Sequence, residues 1–196
     1  MNKQIKTSPG RPRSIRSHQA ILKATLDLLS EVGYDRMSVE AIAARAKVGK
    51  TTIYRRYSSK AELVADALES LRQEIAIPDT GTLWGDLDRI VENAMTTSLT
   101  PLGRQILALI ISTASSNPQF AQVYWTKYLQ PRRETFRIAI ERAKARGEIR
   151  ADTDSDLVFD FISGIMLYAL VFNPSTESVE AYVRRAIGVL YSRLEL

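Results

Sequence analysis

The run "AKVGKTTIYRRY", Ala46 to Tyr57, decides how this chain is read. Its centre, Gly49-Lys50-Thr51-Thr52, has the lettering that ends a phosphate-binding loop. Such a loop needs another glycine five positions before the Gly-Lys pair, so that backbone N–H groups can curl around a phosphate. That position is Ala44. The loop must also follow a buried strand, whereas Val39, Ile42, Ala43 and Ala46 precede it at helical spacing. A nucleotide-dependent enzyme is therefore a poor reading, and the lysine, threonines and arginines need another purpose.

Charge suggests one. The 196-residue chain has a net charge of +5, unevenly spread. Residues 1–60 hold 13 Lys+Arg against 4 Asp+Glu, and residues 61–196 hold 14 against 18. A basic first third on an acidic remainder points that third towards a polyanion. The rest of the composition, 45% hydrophobic and 25% charged, is ordinary for a globular protein.

Other chemistry is poorly supplied. With no cysteine and a single histidine, His18, a thiolate metal site or a histidine-based triad lacks its members. "DTDSD", Asp152 to Asp156, opens like a calcium loop but has Leu157 and Ser163 where glycine and glutamate are needed. These aspartates suit a helix N-terminus instead. No catalytic residue, metal or cofactor is expected. The apolar run Phe161 to Phe172, 12 residues, is too short to span a bilayer and reads as a buried helix. The basic N-terminus has no apolar stretch behind it, so it is no secretory signal. A cytoplasmic protein with no membrane partner is expected.

The spacing predicts an all-α chain. Residues 1–16 read as a disordered basic arm, residues 17–62 as a helix-turn-helix domain, and residues 63–196 as a larger helical domain. The first helix runs from about Ser17 to Val32 and stops at Gly33, where a positive φ favours glycine. A second starts after the N-cap Ser38, and a third covers Lys50 to Tyr57. Ser59 and Glu62 form a capping box for the fourth. "AIPDTGT", Ala76 to Thr82, reads as a linker. Further helices are expected at about 83–98, 101–115, 118–147, 154–172 and 175–194, with Pro131 kinking or splitting the third of these.

Two short helices joined by a three-residue turn, the second one basic, make a helix-turn-helix spanning about 37–57. Ile53 and Tyr57, four apart, pack inward together with Val48. That rotation turns Lys50, Thr51, Thr52 and Arg55 outward. Lysine and arginine donate to guanine O6 and N7, and a threonine methyl touches the thymine methyl. Tyr54, Lys60 and Ser38 are placed to reach phosphates, though Tyr54 also suits a core, and Arg56 is either a DNA contact or a solvated charge.

Residues 21–68 resemble the DNA-binding domain of the TetR family of transcriptional regulators. "EVGYDRMSVEAIAARAKVGKTTIYRRYSSKAEL", residues 31–63, carries the resemblance. Gly33, Tyr34, Ser38, Ile42, Ala43, Ala46, Val48, Ile53, Tyr54, Lys60 and Leu63 stand in the family's positions. Two residues depart from the pattern. Lys47 replaces a turn glycine and costs roughly 1 kcal/mol if its backbone is left-handed. Gly49 replaces an N-cap serine at a cost of about a few tenths of a kcal/mol. Lys47 could add a phosphate contact. "PGRPR", Pro9 to Arg13, is similar to the core of an AT-hook, so that Arg11 and Arg13 either enter a minor groove or belong to a tail giving unspecific attraction.

The resemblance implies double-stranded operator DNA, a homodimer and a small-molecule effector as partners. For the dimer, the last helix offers a stripe of Val179, Tyr182, Val183, Ala186, Ile187, Leu190 and Leu194, and the helix before it offers Phe161 and Ile165. The alternative is an ordinary core within one chain. For an apolar or weakly polar effector the candidates are Trp84, Met95, Ile110, Phe120, Tyr124, Trp125, Tyr128, Phe161 and Met166, because pockets favour aromatic and flexible apolar side chains. The expectation is a repressor released from its operator by that effector. A ligand-responsive activator and an architectural DNA binder remain as alternatives.

Overall fold

The computed structural model describes residues 11–71, 78–172 and 176–192, with the side chains of residues 11–14 and 97 excepted. Among these residues the chain forms ten α-helices and one π-helical turn. They fall into two compact units. Of the described residues, 11–71 join 113–123 in the first, and 78–112 join 124–172 and 176–192 in the second.

In the first unit, α1 (Arg11–Arg36), α2 (Val39–Ala46), α3 (Lys50–Tyr54) and α4 (Lys60–Glu69) surround one core. Ile21, Leu28, Leu29, Ile42, Ile53, Tyr57, Leu63 and Leu68 are buried there. The start of α1 corrects the expected 1–16 arm: the helix reaches back to Arg11, so Arg11 and Arg13 lie in its first turn. Proline is tolerated in a first turn, where its missing N–H leaves no bond unmade, so Pro12 does not block the helix. Residues 1–10, including Pro9 and Gly10 of the hook-like sequence, lie outside the described residues.

Gly33 breaks α1 as its type suggests, at φ 78° and ψ 168°. The broken end is capped from α4. The Lys60 ammonium donates to the Tyr34 carbonyl at 2.8 Å and to the Met37 carbonyl at 3.2 Å. Ser59 Oγ accepts from the Glu62 N–H at 3.1 Å. The reciprocal arm of that capping box reaches one residue further back than expected, the Glu62 carboxylate accepting from the Ser58 N–H at 2.7 Å.

In the second unit, α5 (Leu83–Ser98), α8 (Gln130–Ala145), α9 (Ser155–Phe172) and α10 (Val179–Tyr191) pack around Leu83, Leu87, Met95, Phe136, Ile140, Ile162, Val183 and Ile187. Thr80 to Thr82 are no free linker. The Asp86 carboxylate, buried, accepts from the Thr80 N–H at 2.7 Å and the Thr80 hydroxyl at 2.8 Å, and Thr82 caps α5. Ala76 and Ile77 of the expected linker lie outside the described residues.

The remaining helices are α6 (Pro101–Ser116) and α7 (Pro118–Tyr124). Between α7 and α8 the backbone widens into a π turn, Trp125–Leu129, just before Pro131. The proline cannot donate, and its ring would press on the carbonyl of Lys127 in a regular helix. The π turn absorbs both effects without ending the rod. Asp154 opens α9, its Oδ1 accepting from the N–H groups of Asp156 at 2.9 Å and Leu157 at 3.1 Å. Arg133 and Arg137 of α8 pair with Asp160 at 2.5 Å and Asp156 at 3.2 Å.

Candidate nucleic-acid interface

Ser38 starts α2 with its Oγ accepting from the Ala41 N–H at 3.1 Å. α2 ends in a left-handed residue, Lys47, at φ 54° and ψ 43°. The Lys47 N–H donates to the Ala44 carbonyl and the Val48 N–H to the Ala43 carbonyl, at 3.2 and 3.0 Å. This paired closure normally takes glycine, and a side chain there costs about 1–2 kcal/mol. Gly49 then leads into α3 as a bare N-cap.

α3 is shorter than expected, ending at Tyr54 rather than Tyr57, because the Arg56 N–H turns to the Ile53 carbonyl at 2.8 Å. The expected rotation holds: Ile53 is buried, and Tyr57 is buried just beyond the helix. Lys47, Lys50, Thr51 and Arg55 are exposed, and Thr52 and Arg56 are half-buried. Tyr54 is 55% exposed, which removes the option of a core tyrosine. One end of the unit thus presents hydroxyls, a phenol and cations around a helix N-terminus.

Three further placements define the surroundings of this end. Lys60 places two of its donors on carbonyls and its charge 4.3 Å from the Tyr34 ring centroid, so it caps the broken end of α1. His18 is half-buried, its Nδ1 3.3 Å from the Tyr57 hydroxyl. Burial, with Asp66 next, pushes the Tyr57 phenol up to about 12. Glu40, the acidic residue in the first turn of α2, accepts from Lys50 at 2.8 Å. The Lys50 hydrogen bond, followed by a backbone N–H, holds the Glu40 carboxyl below the usual carboxylate range.

Residues 21–67 match the model of bacterial regulatory proteins of the tetR family, and residues 77–190 match that of the tetracyclin repressor-like C-terminal domain. The chain belongs to the TetR family. It is 34% identical over 181 residues to the HTH-type transcriptional regulator YdeS of Bacillus subtilis (strain 168), covering 92% of this chain and 90% of that one. It is 29% identical over 172 residues to the DNA-binding transcriptional repressor TetR of Mycobacteroides abscessus, covering 86% and 88%. The crystal structure of the TetR family transcription regulator SCO0332 superposes with a TM-score of 0.65 at 27% identity, over 90% of this chain and 97% of that one. The protein is a TetR-family, DNA-binding transcriptional regulator.

Members of the TetR family typically dimerise and bind small effectors, and here the structure redraws the residues expected for both. Val183 is fully buried and Ile187 2% exposed, in the core of their own unit. Tyr182 and Leu190 pack against that same core, and Ala186 is half-buried. Val179, Val183 and Ile187 of the α10 stripe thus pack within their own chain, Tyr182, Ala186 and Leu190 keep part of their surface, and Leu194 lies outside the described residues. α9, expected to be buried on all sides, is not. Leu157 is 52% exposed, Phe161 56%, Tyr168 49% and Val171 51%. With Gly164 they make a seam spaced four, three, four, three, and Ile165 is half-buried beside it.

The nine effector candidates are spread over both units. Phe120 belongs to the first unit, fully buried, its ring 5.9 Å from that of Tyr34 and edge-on. Trp84 is partly exposed and leans on Tyr191 at 5.5 Å. Trp125 is partly exposed beneath the Arg133 guanidinium at 5.5 Å. Phe161 is on the α9 seam and lines an open cleft of about 320 Å³ together with Arg150, Asp154 and Leu190. Met95, Ile110 and Tyr124 are buried, the Tyr128 ring lies tilted against that of Tyr124 at 5.5 Å, and Met166 packs on the core of the second unit.

Proposed function

We propose that this regulator is a homodimeric repressor that leaves its operator when a small apolar or weakly polar molecule binds in the second unit. The observation that carries the reading is the outward set on and around α3: Lys47, Lys50, Thr51, Tyr54 and Arg55. Lys50, Thr51, Thr52 and Arg55 meet base edges, with Arg56 beside them. Ser38, Tyr54 and Lys47 meet phosphates. Arg11 and Arg13 add charge to the same end of the chain. Release follows population shift: the effector favours a dimer whose two α3 helices no longer match half-sites about 34–36 Å apart.

The dimer surface is the α9 seam, centred on Phe161 and Tyr168. Four large apolar side chains about half exposed at coiled-coil spacing are costly in water, and a second copy of the same seam removes them by two-fold symmetry. By length and composition α9, with a mean hydropathy of 1.7, could also cross a membrane. Its opposite face, Val158, Ile162, Ala169 and Leu170, is buried in the protein core, which favours a protein partner over lipid. A non-enzymatic role in the cytoplasm, where the operator is, completes the reading.

Fluorescence anisotropy against tiled fragments of the DNA flanking its own gene, with scrambled competitor at about 0.15 M salt, tests it. One fragment bound far more tightly than the rest is expected. An effector that weakens that binding must itself be bound more weakly, by the same factor, when DNA is present. Equal, weak binding to every fragment would overturn operator recognition.

A further inference from the structure

Residues 37–60 carry six basic side chains, Arg45, Lys47, Lys50, Arg55, Arg56 and Lys60, and a single acidic one, Glu40. That one carboxylate is not at the margin of the interface. It is paired with Lys50, the first residue of α3, at 2.8 Å. Both side chains are 54% exposed. An exposed pair of this kind contributes little to folding. At the N-terminus of α2, Ser38 caps the Ala41 N–H, and the Glu40 carboxylate takes its own N–H beside its bond to Lys50. Yet a fixed anion beside the leading residue of the recognition helix opposes every approach to phosphate. Its place calls for a role in binding.

We propose that Glu40 is a specificity-determining residue of operator binding, which withholds Lys50 from the phosphate backbone and lets it act only at a base edge. The inference rests on the DNA-reading role proposed above for α3. On DNA of arbitrary sequence, Lys50 reaches a phosphate only by leaving Glu40 or by bringing it along. Either way the site gains no net positive charge, and no counterion is released for it. At a guanine the balance differs. An ammonium has three donors, so Lys50 keeps Glu40 and still donates to O6 or N7. The pair thus removes one cation from unspecific affinity while leaving it available for sequence reading, which widens the gap between the two.

The test compares wild type, Glu40→Gln, Lys50→Gln and the double variant on two probes. One is a scrambled duplex of about 30 base pairs. The other is the duplex enriched by in vitro selection with wild-type protein. Glu40→Gln should bind the scrambled duplex about three- to tenfold more tightly at about 0.1 M salt, with the log–log salt slope steeper by about 0.9 per protomer. The enriched duplex should gain less, so the specificity ratio falls. In the Lys50→Gln background the gain should vanish. Unchanged affinity and slope on the scrambled duplex overturn the proposal, as does a gain that persists without Lys50. A lower melting temperature with an unchanged slope assigns Glu40 to the α2 dipole alone and overturns it too. If selection enriches nothing, it is the operator reading that fails, and the scrambled-duplex arm still reports whether Glu40 restrains Lys50.

Discussion

The Lys60 ammonium sits 4.3 Å from the centre of the Tyr34 ring and donates to the Tyr34 carbonyl at 2.8 Å, so one side chain closes the end of α1 by charge, hydrogen bond and ring contact. Replacing Lys60 with glutamine should cost about 1–2 kcal/mol, read as a lower denaturant midpoint at constant m-value. The salt slope of DNA binding should not change. A slope shallower by about 0.9 would return Lys60 to the phosphate contacts.

Lys47 behaves in the opposite sense. Its left-handed backbone costs about 1–2 kcal/mol, and glycine relieves that while adding about 0.4–1 kcal/mol of unfolded-state entropy. Lys47→Gly should therefore stabilise the protein by about 0.5–1 kcal/mol in chemical denaturation. It should also weaken DNA binding with a slope shallower by about 0.9, since an exposed cation in the turn is lost. Stabilisation with unaltered DNA binding would leave Lys47 without a phosphate.

Phe161 and Ile187 separate two surfaces that the sequence cannot tell apart. Phe161→Glu on the exposed seam should turn a dimer into a monomer in sedimentation velocity and abolish tight operator binding. Ile187→Ala, in a sealed core, should cost about 2–5 kcal/mol of stability through its cavity and leave the association interface intact. A Phe161→Glu protein that stays dimeric would move the interface away from α9.

Tyr57 gives a pH signature. Its phenol, normally near 10.0, is raised to about 12. Between those values the unfolded chain has lost a proton that the folded chain keeps, so stability falls as pH rises. The contribution is intact below pH 10 and is lost by about pH 12, about 2 kcal/mol in all. Melting curves from pH 9 to 12 should show a flatter alkaline decline in Tyr57→Phe than in wild type.

Where the sequence was legible, the signal was local. Ser38 and Thr82 accept from N–H groups of their own first turns, so the starts of α2 and α5 can be read from the residues alone, whereas α10 begins at Val179 behind its cap Ser178, later than the expected 175. Gly33 likewise announces its positive φ. The inward turn of Ile53 and Tyr57 needs only a four-residue spacing. The surroundings of α10 and of Lys60 were decided by distant parts of the chain. An apolar stripe says that α10 is covered, not by what, and the cover is α5 and α9 of the same chain. Lys60 could have pointed at solvent, and what holds it is the broken end of α1, 26 residues away. Glu40 could have been found: it is the one acid in a basic stretch, a pattern visible in the letters.

Phe120 lies 49 positions beyond the last residue of the main segment of the DNA-reading unit, Leu71, yet its ring is sealed inside that unit against Tyr34. A reader head excised at residue 71 would lack one of its largest core side chains, a loss of about 3–5 kcal/mol by the measure of aromatic truncations. Hybrid regulators assembled by joining this head to a foreign sensor would inherit that hole unless residues 113–123 travel with it, or the donor sensor brings an aromatic of its own to fill the place of Phe120. Sensor exchange in this protein is a grafting problem with two cut sites, not one.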